Sequence, residues 1–338
     1  MLKLKKGVNL GGWLSQCDYT IERYKTFITG DDIKNIADMH FDHVRLPIDY
    51  NVVEEEDGTD IPDNYGYIDN AVDWCRKYGL SVILDVHRTW GYSFDDAGKA
   101  GLNTLFDSPE AQDRFVKLWD KLSARYGGYS DFVAMELLNE VVNPEYADPW
   151  NDLISRTVPV IRKNAPDTTI IYGGVEWNSV TTLKLLQEPA DDNIIFTFHY
   201  YEPLLFTHQK APWVPTISQD LDVPYPGDMD MYRRESDKVG LQGQSVVNVG
   251  ASSMGIPFHE EMIGEALKVG RQRNMTLYCG EFGVIDRADP SDAIKWYKDV
   301  ITLFKKHDIG YCVWSYKEMD FGIMGEKYKE MREFLAAQ

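Results

Sequence analysis

The chain of 338 residues is longer than most single domains, although barrels of alternating strands and helices often reach this length as one unit. Hydrophobic residues make up 43% of the sequence and aromatic residues 13%, which excludes a disordered or collagen-like chain. The net charge of -19 would repel nucleic acid and anionic lipid alike, so we expect neither nucleic acid nor a membrane as a partner.

The cysteines and the N-terminal stretch carry little functional information. The four cysteines, Cys17, Cys75, Cys279 and Cys312, show no metal-binding or C-x-x-C spacing, and we interpret them as core thiols. The stretch MLKLKKGVNLGG is basic, but no apolar segment follows it, so no export signal is predicted there. We expect a secreted or cell-surface protein if a signal has been removed and a cytoplasmic one otherwise, and in either case a monomer.

Eight short apolar runs alternate with amphipathic segments along the chain. In chain order the runs are KKGVNL, FDHVRLP, LSVILDVH, FVAMELLNE, TTIIYGG, IIFTFHY, MTLYCGE and IGYCVW. Segments with helical periodicity include DDIKNIADMH, YIDNAVDWCRKYG, SPEAQDRFVKLWDKLSARYG, TTLKLLQE, EEMIGEALKVGRQRN and SDAIKWYKDVITLFKKHD. This alternation predicts an α/β fold, a parallel sheet closed as a (β/α)8 TIM barrel. An open doubly wound sheet is the alternative, but no glycine-rich phosphate loop follows the first run.

One long stretch does not fit the alternation. A barrel of this kind needs roughly 250 residues, and residues 202–256, after the sixth run, are rich in Pro, Gly and Tyr and lack a clear period. We predict a single domain over residues 1–338, with residues 202–256 inserted as a loop or small subdomain after the sixth strand. Two small domains are the alternative.

Polar residues stand where the predicted strands end, and barrels of this type hold their chemistry at those ends. Glu140 and Glu281 end the fourth and seventh strands, on opposite sides of the barrel mouth. Cleavage of a glycosidic bond needs two carboxyl groups on either side of it, so this pair indicates a glycoside hydrolase. For either Glu alone, a structural salt bridge is the alternative. The other strand-end residues are Arg45, His87, Asn139, His199, Tyr201 and Trp314.

A further carboxyl group is predicted deeper in the barrel. Strand alternation places Glu136 on the same side as Glu140 but lower, where a lone carboxylate would be costly. Arg45 is its natural partner, and if it also reached Glu281 it would keep that carboxylate ionised. A purely structural ion pair is the alternative for Arg45.

Two histidines, His87 and His199, raise the hypothesis of a metal site. His87 and His199 could bind a metal together with Glu, but the close ligand spacing of familiar metal motifs is absent. We therefore expect no metal, and we expect these two rings to hydrogen-bond to sugar hydroxyls or to the catalytic carboxylates. We interpret His208 and His259 as ordinary surface or loop histidines.

Aromatic residues near the strand ends could stack on sugar rings. Local packing is the alternative for each isolated Trp. The candidates are Trp90, Trp150, Trp177, Tyr201, Phe206 and Trp314.

Seven motifs in this order, GVNLGGW, FDHVRLP, LDVH, ELLNEV, HYY, GEFG and VWSYK, resemble the cellulase-type glycoside hydrolase family 5 of the Asn-Glu clan. FTHQKAPW and LYCGEFGV are further similar to the group around clostridial endoglucanase C. The resemblance implies a retaining (β/α)8-barrel enzyme without a cofactor, with Glu140 as acid/base and Glu281 as nucleophile. It places the remaining strand-end residues at other active-site positions, with Asn139 bonded to the sugar 2-hydroxyl and Tyr201 against Glu281.

The resulting functional prediction is a retaining endo-β-1,4-glucanase, a cellulase that hydrolyses β-glucan oligo- or polysaccharides such as mixed-linkage β-1,3-1,4-glucan and soluble cellulose. Exo-β-1,3-glucanase, β-glucosidase or β-mannanase activity on the same fold is the first alternative. A non-catalytic carbohydrate-binding barrel and a metal-assisted hydrolase are the others. The expected substrate-binding residues are Arg45, His87, Trp90, Asn139, Trp177, His199, Tyr201, Phe206 and Trp314.

Overall fold

Eight parallel strands form a closed barrel in the computed structural model, which describes residues 1–96, 99 and 101–338. Each strand pairs with its neighbours in chain order, and the last strand closes on the first. The predicted (β/α)8 barrel is therefore confirmed, and the open sheet is excluded. The strands are β1 Lys6–Asn9, β2 His43–Asp49, β3 Ser81–Arg88, β4 Val133–Glu136, β5 Ile170–Gly173, β6 Ile194–Tyr200, β7 Thr276–Phe282 and β8 Gly310–Val313.

The helices begin and end at residues with a clear physical role. The Ser108 side chain accepts a hydrogen bond from the first turn of the fourth helix, and Gly79 ends the third helix with φ 75°. The predicted helix TTLKLLQE is wrong, because this segment forms only a 3₁₀ turn at Leu183–Leu185. Pro189 follows closely and disfavours the α conformation before it. The helices are α1 Ile21–Thr26, α2 Gly30–Asp38, α3 Tyr65–Tyr78, α4 Pro109–Tyr126, α5 Ala147–Asn164, α6 Leu204–Thr207, α7 Met229–Asp237, α8 Gln244–Asn248, α9 Ile256–Arg273, α10 Pro290–Lys306 and α11 Lys329–Ala336.

Residues 201–255 connect β6 to α9 and contain the short helices α6, α7 and α8, so the predicted insertion 202–256 corresponds to this connection except that Ile256 already begins α9. A buried chain of hydrogen bonds fastens this segment to the barrel. His259 is fully buried, with Nδ1 at 2.6 Å from the Tyr200 hydroxyl and Nε2 at 2.8 Å from the Tyr225 hydroxyl. Tyr225 in turn donates to Asp299 at 2.8 Å. The interpretation of His259 as a surface or loop residue is therefore wrong.

Strand alternation sorts the buried side chains into two cores. The larger core joins the strands to the surrounding helices, and a small one consists of strand residues alone. Two residues beyond the members of the small core on β3 and β4 stand Asp85 and Glu136, on the same strand faces. Asp85 and Glu136 therefore belong to a polar layer that lies directly above the small core. No helix in the described part of the chain is both long and apolar enough to cross a membrane. The small core consists of Ile83, Ala134, Ile171, Tyr278 and Cys312.

One glycine allows a close contact inside the barrel. A Cβ at Gly7 would lie 2.1 Å from Nε2 of His43, whose ring is buried and lies 2.7 Å from the Tyr278 hydroxyl. We expect Gly7→Ala to lower the free energy of unfolding by about 1–3 kcal/mol, because the ring has to move from its partner. Urea denaturation measures this change.

The matched control is Gly264→Ala in α9, where a Cβ would meet nothing within 4 Å. This change should raise the free energy of unfolding by about 0.5–1 kcal/mol, because alanine favours a helix over glycine. A Gly7→Ala protein as stable as the wild type would contradict the expected clash.

Candidate active site

One guanidinium group lies at the centre of the polar layer. Arg45 is 0% exposed and donates to both oxygens of Glu136, at 2.8 Å from Nε and 3.0 Å from Nη2. Nη1 lies 2.7 Å from Glu281 and Nη2 lies 3.0 Å from Asp85. The predicted contacts of Arg45 with Glu136 below it and Glu281 above it are both present. Asp85 is an additional partner that was not predicted, although it stands on the same face of β3 as His87. Three carboxyl groups thus share one cation.

His87 is held as a neutral ring above this layer. Its Nδ1 lies 2.6 Å from Asp85, and its ring stacks on Trp314 with centroids 5.7 Å apart and planes within 2°. Burial and the nearby Arg45 charge hold the pKa of His87 well below its usual range. If the neutral ring carries its single N–H at Nδ1 and donates it in a hydrogen bond to Asp85, Nε2 is left to accept a hydrogen bond in the cavity.

Glu281 is bound from two sides. Arg45 donates to Oε1, and the Tyr201 hydroxyl donates to Oε2 at 3.0 Å. Burial raises the pKa of Glu281 to about 7, while the Arg45 charge and the Tyr201 hydrogen bond oppose that rise. The Glu281 carboxyl therefore ionises near neutral pH.

Glu140 lies across from Glu281 in a strained conformation. Its backbone φ is 40°, and its carbonyl is held by the Tyr92 hydroxyl at 2.9 Å. Nδ1 of His199 lies 2.7 Å from Oε1 of Glu140. Burial and the charge of Glu281 raise the pKa of Glu140 well above its ordinary value. As the pH rises, Glu281 therefore ionises before Glu140.

The two carboxyl groups lie close together. Glu140, His199 and Glu281 each offer one ligand atom, and these three atoms all lie within 4.8 Å of one another. One oxygen of each carboxyl group thus lies within 4.8 Å of the other, which agrees better with the roughly 5–5.5 Å between the carboxyl groups of retaining glycosidases than with the roughly 6.5–9.5 Å of inverting ones. A divalent cation such as Zn²⁺ could be held by the same three atoms, but it would then occupy both carboxylates.

Asn139 offers an unused donor beside this pair. Its Oδ1 accepts from Arg45 at 2.9 Å, which turns the amide nitrogen away from the guanidinium. That nitrogen is buried and has no hydrogen-bond partner among the residues that the structure describes. An unsatisfied buried donor is costly, so this group is suited to bind a hydroxyl of a ligand.

The paired carboxyl groups open into a cavity of about 1070 Å³, formed by strand ends, loops, α8 and α9. Trp213, which is 50% exposed, also lines the cavity, and the sequence pattern did not indicate it, although it stands in the motif FTHQKAPW. His208 stands in the turn after α6, in agreement with the interpretation as a loop residue, but it also lines the cavity, and burial lowers its pKa to about 3. The aromatic lining residues are Phe94, Trp177, Tyr201, Trp213, Trp314 and Phe321.

Other expected cavity residues lie elsewhere. Phe206 is 0% exposed and packs on Tyr225, so the structure does not place it against a ligand. Trp90 lies over the Arg114 guanidinium and does not line the cavity. Trp150 belongs to α5, where its indole donates to a backbone carbonyl. Arg45 is buried and does not line the cavity, but it contacts two residues that do, Asn139 and Glu281. Alternation and strand position do not reveal such inward packing of loop aromatics.

The chain matches known proteins over nearly its whole length. The family model described as cellulase, glycosyl hydrolase family 5, matches residues 5–320. Cellodextrinase A of Ruminococcus flavefaciens is 41% identical, covering 90% of this chain and 83% of its own. Endoglucanase C of Acetivibrio thermocellus is 39% identical, covering 99% and 97%. A solved glycoside hydrolase structure has a similar fold, with a TM-score of 0.80 at 23% identity over 99% of both chains. The chain belongs to glycoside hydrolase family 5, the cellulase family.

Proposed function

We propose that this enzyme is a retaining endo-β-1,4-glucanase that hydrolyses mixed-linkage β-glucan and soluble cellulose by double displacement. The observation that carries the proposal is the pair Glu140 and Glu281, whose carboxyl oxygens approach within 4.8 Å at the floor of one cavity. Their environments separate their pKa values, which assigns one as the acid and the other as the base or nucleophile. The endoglucanase and cellodextrinase relatives support the same substrate class.

In the first step, the Glu281 carboxylate attacks the anomeric carbon. The bond from that carbon to the leaving oxygen breaks, and Glu140 gives its proton to this oxygen. Arg45 and Tyr201 orient Glu281 for the attack. The unpartnered amide of Asn139 would donate to the sugar 2-hydroxyl next to the reacting carbon.

In the second step, Glu140 takes a proton from water, and the oxygen of that water attacks the anomeric carbon. The bond between the sugar and Glu281 breaks, and the carboxylate is restored. Two inversions at one carbon give net retention. His199 stays within hydrogen-bond distance of Glu140 and is suited to steady its carboxylate between the steps.

The charge of the cavity supports an uncharged polymer as substrate. Within the described residues, neither Lys nor Arg lines the cavity. A negatively charged glucan would therefore be repelled, whereas a neutral one would not. The carboxyl groups that line the cavity beside the reacting pair belong to Asp95, Glu176, Glu202, Glu261, Glu265 and Asp320.

A substrate panel tests the proposal. We expect a rapid fall in viscosity of barley mixed-linkage glucan, slower cleavage of carboxymethyl-cellulose because it is anionic, and little action on laminarin or mannan. The neutral hydroxyethyl-cellulose separates the effect of charge from that of the linkage. Products sized over time distinguish endo from exo cleavage, and NMR of the first product should show the β-anomer.

Variants of the carboxyl pair complete this test. Glu140→Gln should reduce activity on glucan by roughly 10²–10⁴-fold, and Glu281→Gln by at least as much. Glu330→Gln on the exposed side of α11 is the control and should leave activity unchanged. Laminarin or mannan as the best substrate, or monosaccharide release without loss of viscosity, would point to the alternative activities. Wild-type turnover in both Glu140→Gln and Glu281→Gln would refute the mechanism.

The pH dependence of the reaction gives a separate prediction for Tyr201. Since Glu281 has to be ionised, kcat/KM should fall as the pH drops through about 7, the pKa of Glu281. Tyr201→Phe removes a hydrogen bond that lowers this pKa, so the acid limb should move up by about one pH unit. The measurement is kcat/KM on a soluble glucan across pH. Tyr172→Phe, on β5, is the control, and an unmoved limb in Tyr201→Phe would show that the hydroxyl does not tune Glu281.

A further inference from the structure

We propose that Asn178 is a positioning residue that, through the tautomer of His199, keeps the proton of Glu140 on the oxygen that faces the substrate. This inference rests on the proposed function, because it concerns the acid step of that reaction. Asn178 is 1% exposed and follows β5, on the far side of the His199 ring from Glu140.

His199 bridges Asn178 and Glu140. Its Nδ1 lies 2.7 Å from Oε1 of Glu140, and its Nε2 lies 3.4 Å from Nδ2 of Asn178. The backbone nitrogen of His199 also donates to the carbonyl of Asn178 at 2.9 Å. The amide oxygen of Asn178 fills the space beside Gly173, where a Cβ would lie only 2.5 Å from it. The amide nitrogen, and not the amide oxygen, lies next to Nε2 of the ring.

The amide selects one tautomer of the ring. Burial and the charge of Arg45 hold the pKa of His199 well below its usual range, so the ring is neutral and has a single N–H. An amide N–H that points at Nε2 requires a lone pair there. The ring proton therefore lies on Nδ1 and is donated to Oε1 of Glu140.

This tautomer decides where the proton of Glu140 resides. With Nδ1–H directed at Oε1, the carboxyl proton belongs on Oε2, which has no hydrogen-bond partner among the described residues and is free to meet the leaving oxygen. In the opposite tautomer, a bare Nδ1 would accept the proton from Oε1. The number of protons would be the same, but the proton would point at His199 and away from the glycosidic bond.

The backbone at this position limits which residues can test the idea. Asn178 has φ 56° and is the third of three consecutive left-handed residues after Glu176 and Trp177, at 53° and 56°. Asn, Asp and Gly adopt this conformation with the least strain. Asn178→Asp and Asn178→Gly therefore change the hydrogen bond while keeping the backbone.

Asn178→Asp is the decisive variant at a pH high enough to ionise the new buried carboxyl group, because an ionised carboxylate can only accept a hydrogen bond. Nε2 of His199 then carries the ring proton. The acid proton of Glu140 lies in the hydrogen bond between its Oε1 and Nδ1 of His199, so it does not face the leaving oxygen. We expect kcat/KM for phenyl β-cellobioside, whose leaving group needs protonation, to fall at least about tenfold. For 2,4-dinitrophenyl β-cellobioside, whose phenolate leaves unaided, it should stay within about twofold of the wild type.

Asn178→Gly removes the donor without adding an acceptor. We expect about a fivefold loss on the phenyl glycoside and none on the dinitrophenyl glycoside. Asn274→Asp is the matched control, because Asn274 ends α9 with φ 50° and should leave both rates unchanged. Equal losses on both glycosides, or no loss on either, would overturn the proposal, since a merely structural defect would not depend on the leaving group.

A spectroscopic measurement tests the tautomer independently of turnover. In protein labelled with ¹⁵N-histidine, Nε2 of His199 should be unprotonated in the wild type and protonated in Asn178→Asp. A protonated Nε2 in the wild type would overturn the proposal. If the wild type cleaved no glucan and neither aryl cellobioside, the proposed function would fail, and the NMR result would still decide the tautomer.

Discussion

The site depends on one buried cation shared among several carboxyl groups. Arg45 contacts Asp85, Glu136 and Glu281 at 2.7–3.0 Å and has no exposure to solvent. Buried carboxylates without such a partner would take up protons to avoid the cost of desolvation. The planar guanidinium can satisfy several of them at once, and it binds Glu136 through two parallel hydrogen bonds. Loss of Arg45 would therefore change the ionisation of Asp85, Glu136 and Glu281 together.

The two reacting carboxyl groups differ because the cation is shared unequally. Arg45 contacts Glu281 directly, whereas Glu140 has a hydrogen bond from a neutral histidine and the charge of Glu281 close by. Both carboxyl groups are buried, so burial alone would raise their two pKa values alike. The asymmetry of their partners makes one of them the proton donor and the other the anion. The same fold thus supplies acid and base chemistry from identical side chains.

Sequence patterns predicted the features that follow from strand periodicity. The barrel and the opposed Glu140 and Glu281 derive from which residues end a buried strand on one face. Arg45 was expected at a strand end but is the third residue of β2, and its double contact follows from strand alternation alone. The orientations of loop side chains could not be predicted in this way, because loop backbone has no regular period. Phe206 faces the core, Trp213 faces the cavity, and nothing in the local pattern distinguishes them. Asn178 escaped for a further reason, since its contact with His199 joins two strands through left-handed backbone that sequence periodicity cannot detect.

Left-handed backbone is concentrated at the barrel mouth. Glu140 has φ 40°, and residues 176–178 and 318–320 form two runs with φ between 50° and 59°. Each such residue costs roughly 1–3 kcal/mol in isolation, so these conformations persist only because the closed barrel beneath them is stable. The two runs bring Trp177 and Met319 to the lining of the same cavity. A glycine-rich rim would adopt these turns without strain, but it would lose the side chains that line the opening and the fixed geometry that catalysis needs. The strain at the rim is therefore part of how a rigid scaffold holds the substrate over its two carboxyl groups.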